Sequence, residues 1–178
     1  MLQNSVKKIT IVGNAGSGKT TLAFQLHEKY KLPLYHLDQY YWLPNWERIE
    51  FDKFSEIHWE LYAKNEWIIE GIYIRWLHHR IVHADVIIFL DIPRSKCMWR
   101  VIKRAFMNFG KVTLGNPAHC KQQPFSFKFL EFLWWVWNFN KYYRSMIVAF
   151  LAQAKQDGKQ VYVLKSSKDI ADFVLNAK

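Results

Sequence analysis

Residues 13–20 read GNAGSGKT. The stretch fills every fixed position of G-x-x-x-x-G-K-[ST], with Gly13, Gly18, Lys19 and Thr20. Glycine carries no Cβ, so the backbone N–H groups of such a loop can turn inward onto phosphate oxygens. The helix that starts in the loop adds the positive end of its dipole. A lysine at this position reaches the outer phosphates, and the adjacent hydroxyl can ligate Mg²⁺. The motif therefore requires a buried strand before it and a helix after it. Both are present: Ile9-Thr-Ile-Val12 precedes it, and Leu22, Phe24 and Leu26 follow. The residues expected to hold a nucleoside triphosphate are Gly13, Asn14, Ala15, Gly16, Ser17, Gly18, Lys19, Thr20 and Thr21.

The rest of the chain repeats this alternation. Strands are expected at 8–12, 34–37, 67–69, 85–90 and 160–164. Helices are expected over 18–30, 51–62, 73–83, 95–109, 126–156 and 168–177, with loops at 39–50 and 110–124. The strands are apolar end to end, which points to a parallel sheet covered on both faces. Ligands then belong at the carboxyl ends of the strands. The 178 residues suit one domain, and a composition 51% hydrophobic and 22% charged suits a globular one.

Acidic residues close strands two, three and four: Asp38, Glu70 and Asp91. On the phosphate-loop rim, such a carboxylate can hold Mg²⁺ through water, and Glu70, followed by Gly71, is the better placed of the later two. Asp38 can orient or deprotonate an acceptor hydroxyl.

Charge is uneven. Net charge is +10, and residues 94–144 carry ten Lys/Arg against the single acid Glu131. Such a surplus suits phosphates or nucleic acid. Cys97 and Cys120 form no disulfide framework, and without a signal peptide the cytoplasm is the expected compartment. The most apolar stretch, 129–139, contains Glu131 and is too short to span a bilayer, so no membrane partner is expected. His78, His79 and His83 lack a third ligand nearby, so no metal site is expected there. No Asn-Lys-x-Asp motif is present to read guanine.

These residues together resemble the adenylate kinase-like branch of the P-loop kinases, and most closely a bacterial group labelled "DNA topology modulation protein". The likeness runs along nearly the whole chain. It is carried by GNAGSGKT, Leu37-Asp38, Trp42-Leu-Pro-Asn-Trp46, Trp67-Ile-Ile-Glu-Gly71, Arg80, Ala84-Asp85, Phe89-Leu-Asp-Ile-Pro93, Arg100 and Arg104. It implies an α/β, three-layer P-loop NTPase sandwich with a five-stranded parallel sheet. An acceptor-binding insertion is implied at about 39–66 and a lid at about 105–124. The cofactors implied are ATP and Mg²⁺, with Thr20 and Glu70 at the metal. Lys19, Arg80, Arg100 and Arg104 would neutralise the transferred phosphate, with Asp38 toward the acceptor; Arg75 and Arg144 are further candidates. The resemblance implies phosphoryl transfer to a small acceptor, among which a nucleoside monophosphate is one. The departures are a lid place poor in arginine and lacking a four-cysteine cluster, and the two tryptophans Trp42 and Trp46. The competing reading is an ATP-binding, nucleic-acid-associated protein without small-molecule kinase activity.

Overall fold

The computed structural model describes residues 6–176. Its main sheet is built from β1 (Lys8–Gly13), β2 (Leu34–His36), β5 (Trp67–Glu70), β6 (Val86–Leu90) and β7 (Gln160–Leu164), in the order β2-β5-β1-β6-β7. All four pairings are parallel. Strands β3 (Trp42–Leu43) and β4 (Glu47–Arg48) form a small antiparallel hairpin outside the sheet.

Successive residues of a strand face opposite sides, so a strand buried on both faces serves two cores. Ile9 and Ile11 of β1 join Val86, Ile88 and Leu90 of β6 in one core. That core is closed by α1 (Lys19–Tyr30), α5 (Arg94–Met107) and α6 (Phe127–Phe139), with α8 (Ser167–Asn176) packed against it. Val12, Ile69, Ile87 and Phe89 point the other way. They meet α3 (Phe51–Ala63), α4 (Ile74–His83) and α7 (Ser145–Gln156). The result is the three-layer arrangement expected from the apolar strands.

Three local expectations change. Strand β2 stops at His36, and Leu37–Tyr41 forms a single-turn helix, α2, so Asp38 sits in a helical first turn. The expected loop 39–50 contains the β3–β4 hairpin, closed through Pro44–Trp46, where Asn45 and Trp46 take positive φ. The long helix at 126–156 is interrupted by a π-turn at Asn140–Arg144. Such a turn re-aims the side chains that follow it. Here Arg144 meets Asp91 in a two-pronged ion pair, Nε to Oδ1 at 2.9 Å and Nη2 to Oδ2 at 2.8 Å.

Gly16 adopts φ +75°, and a Cβ added there would collide with the carbonyl oxygen of Cys97 and lie 3.0 Å from Val101 Cγ2. The phosphate loop thus lies directly on α5. Gly16→Ala is expected to cost about 1–3 kcal/mol through overpacking against backbone, read as a lower Tm in thermal unfolding.

Candidate active site

Parallel pairing brings the carboxyl ends of β1, β2 and β5 to one rim. Glu70 is in register with both Ile11 and His36. The phosphate loop leaves β1 at Gly13, and α1 begins at Lys19. Asn14, 2% exposed, donates from Nδ2 to the Val136 carbonyl at 2.9 Å and so ties the loop to α6. Lys19 Nζ spans the loop and donates to the Asn14 carbonyl at 3.0 Å. Thr20 and Thr21 occupy the first turn of α1. A loop held open by glycines, with a lysine across it and a helix N-terminus behind it, is shaped for a polyphosphate.

Beside the loop lies a chain of polar contacts. Thr20 Oγ1 donates to Glu70 Oε1 at 3.0 Å, and His36 Nδ1 lies 2.8 Å from the same oxygen. Asp38 accepts a 2.6 Å hydrogen bond from the Tyr73 hydroxyl. Tyr73 caps α4 at φ 26°, ψ 67°, a strained conformation for a residue with a Cβ.

The pKa values of the two carboxyls are shifted in opposite directions. Burial, then the nearby Glu70 charge, raises the Asp38 pKa, against the opposing pull of Tyr73, Lys19 and Arg104. Burial would also raise Glu70, but the His36 hydrogen bond and the Lys19 charge outweigh it and hold Glu70 below its usual value. Neighbouring acids pushed apart in this way suit separate duties, an ionised ligand and a proton acceptor. Glu70 and the Thr20 hydroxyl offer oxygen ligands suited to Mg²⁺.

The arginines divide. Arg104 acts electrostatically on both Asp38 and Glu70, and among the described residues its Nε has no hydrogen-bond partner. Arg100, one turn earlier, instead donates from Nη1 to the carbonyls of Gly16 and Ser17, both at 3.3 Å, and from Nη2 to Ser167 Oγ at 3.0 Å. Arg80 takes a different place from the one expected. It is fully buried, and Nη2 donates to the Gly71 carbonyl at 2.6 Å. It braces the Glu70–Gly71 turn through that carbonyl, its charge acts on Glu70 and Tyr73, and among the described residues its Nε and Nη1 have no hydrogen-bond partner. Arg144 is engaged with Asp91, and Arg75 lies over the Phe51 ring at 5.2 Å. Asp91 is therefore a structural tie between β6 and the π-turn.

His36, Tyr73 and Gly115 were not among the expected site residues. His36 is two positions before Asp38 on a strand end, a spacing that could have flagged it. Gly115 belongs to segment 108–126, which crosses over the phosphate loop: a Cβ there would lie 2.8 Å from Thr20 Cγ2 and 3.4 Å from His36 Nδ1. The same segment is fastened to the β3–β4 hairpin. Trp46 Nε1 donates to the Lys121 carbonyl at 3.0 Å, and His119 Nε2 lies 2.9 Å from the Trp42 carbonyl. Lys128 Nζ donates to the Asn45 carbonyl at 2.8 Å.

Among solved structures, the chain is similar to shikimate kinase from Acinetobacter baumannii in complex with shikimate. The TM-score is 0.56 at 13% identity, covering 97% of this chain and 91% of that one. The chain has the P-loop NTPase fold. The five-stranded parallel sheet flanked by helices is the one this kinase uses. Among curated sequences, the chain is 30% identical over 120 residues to "Uncharacterized protein YqaC" of Bacillus subtilis (strain 168). That match covers 65% of this chain and 66% of the relative's own length. No family model matches the sequence.

Proposed function

We propose that the protein is an adenylate kinase-like phosphotransferase that moves the γ-phosphate of ATP, with Mg²⁺, onto a hydroxyl of a small acceptor. The observation that carries this reading is the Asp38–Tyr73 hydrogen bond on the same rim as Thr20 and Glu70. A phosphate acceptor needs no base, whereas a hydroxyl acceptor gains from a held carboxylate with a raised pKa.

In this reading residues 13–21 cradle the triphosphate, and Thr20 with Glu70 holds Mg²⁺, Glu70 through water. The metal, when bound, neutralises charge on the phosphates. Lys19 and Arg104 face the charge that develops on the transferred group. Arg100 keeps the loop backbone in place through Gly16 and Ser17 and joins it to α8 at Ser167. The acceptor occupies the space between Asp38 and the hairpin, where Tyr41, Trp42, Phe54 and Tyr73 form a cluster of edge-to-face and tilted rings. Segment 108–126 serves as the lid that excludes water.

The test is a panel of nucleosides, nucleotides, sugars and other polyols incubated with γ-labelled ATP and Mg²⁺, with Lys19→Ala as the control. The expected result is label on a hydroxyl compound with the native protein alone. ATP binding without transfer to any member of the panel counts against the kinase. Label only on monophosphates counts against the hydroxyl acceptor.

Tyr73 is a positioning residue here. Tyr73→Phe is expected to lower kcat about tenfold, the worth of one hydrogen bond to a charged group, with the KM for ATP unchanged. Steady-state kinetics at saturating acceptor check it.

A further inference from the structure

Beyond the reaction itself, the outer face of α5, α6 and the segment joining them needs an explanation. On α5, Trp99, Lys103 and Phe106 recur at helical spacing, and Trp99 is 64% exposed. On α6, Phe127, Leu130, Trp134 and Trp137 do the same, each exposed to solvent. The two ridges share one surface because they are bridged at both ends. Arg94 lies 4.4 Å over the Trp137 ring at one end. At the other, Phe125 meets Phe106 at 5.6 Å and Phe109 at 5.9 Å. Phe125 itself is 79% exposed. An apolar surface of this extent is more than scattered exposure accounts for.

Its charge is mainly positive, with the exposed Glu131 the one acid on α6. Arg94, Lys103, Lys111 and Lys141 are exposed, and among the described residues none of them pairs with an acid. Glu131 is the lone acid between 94 and 144. Exposed tryptophan and phenylalanine among unpaired lysine and arginine is the pattern of a surface that lies in a lipid interface: rings enter the acyl boundary while cations meet anionic headgroups. A second copy is a poorer occupant, since two-fold pairing would bring these cations against themselves. Nucleic acid fits the charge, but not the aliphatic Leu130 and Met107 at the crest, 60% and 69% exposed. Among the described residues no helix is long and apolar enough to cross a membrane, so the contact runs along a surface.

We propose that the α5–α6 face docks the protein on an anionic lipid surface. The joining segment also lies against Thr20 through Gly115, so docking sets the candidate site close to the membrane.

The full chain is sedimented with vesicles of phosphatidylcholine, alone or with about one-third phosphatidylglycerol. Binding to the anionic vesicles is expected, weakened by salt, with little binding to phosphatidylcholine alone. The double change Leu130→Ser and Trp134→Ser, at two exposed positions of α6 outside the lid segment, is expected to weaken partitioning by about 10- to 100-fold. Thermal unfolding and ATP binding of this variant are expected to match the native chain. Four results overturn the proposal. These are no sedimentation with anionic vesicles at low salt, or binding indifferent to the double change. The others are a dimer that the double change dissociates and that ignores vesicles, or single-stranded DNA binding lost with the same change while vesicles are ignored.

Discussion

Asp38→Asn is expected to lower kcat for a hydroxyl acceptor by about 10²–10⁴-fold, the range for loss of a positioned general base. The substitution keeps the size of the side chain and can still accept from the Tyr73 hydroxyl, so the rim is expected to keep its shape. What it removes is the negative charge and the ability to take a proton. Lys19 and Arg104 both act on that charge, so the variant also leaves two cations less compensated. Affinity for ATP is therefore expected to hold or to rise slightly, which separates this effect from damage to the phosphate loop. The measurement is kcat and KM for both substrates, with ATP binding by calorimetry alongside. An unchanged kcat would remove Asp38 from the chemistry and with it the argument for a hydroxyl acceptor.

The second large effect concerns stability in acid. His58 is fully buried on α3, its Nδ1 lies 2.8 Å from the Phe54 carbonyl, and among the described residues its Nε2 has no hydrogen-bond partner. The short contact assigns the proton to Nδ1, so the folded chain holds a neutral imidazole between Phe54 and the stacked ring of Trp76. Burial lowers its pKa from 6.5 to about 4, assisted by the Arg80 charge and opposed by the Phe54 carbonyl. Between those two values the unfolded chain binds the extra proton and the folded chain does not. Stability from this group is full above pH 6.5, falls as pH drops, and is lost by about pH 4. The loss is about 3 kcal/mol at ~1.4 kcal/mol per unit. Urea unfolding at pH 7 and at pH 4 measures it. Asn in place of His58 can still donate to the Phe54 carbonyl and does not titrate, so His58→Asn is expected to flatten the acid limb by about that amount. Equal slopes in the two proteins would refute the assignment.

Much of the fold was legible because it depends on short-range patterns. The β-branched run Ile9–Val12, the glycines after it and the helical repeat from Leu22 each declare themselves within a dozen residues. Once the strands are known to be parallel, Glu70 and the phosphate loop must share a rim. Sequence pattern loses its hold where a local break is cheap. Asp38 lies in a one-turn helix because the chain turns sharply after His36, and the π-turn at Asn140–Arg144 has no composition to mark it. The arginines show a further limit. A spacing of four puts Arg100 and Arg104 on one helical face, but also about 6 Å apart along the axis. One therefore donates to loop carbonyls, while the other acts on the carboxylates through its charge.

GNAGSGKT and the apolar strands by themselves determined a three-layer sheet with a phosphate-shaped loop at its centre, because hydrophobic period and glycine conformation act over neighbouring residues. The tertiary structure decided the partners. It joined His36 to Glu70, Tyr73 to Asp38 and Arg144 to Asp91, turned Arg80 inward, and laid Gly115 over Thr20. Each of those contacts spans tens of residues in the chain or rests on how a helix packs, and side-chain geometry across such distances exists only after the sheet has assembled.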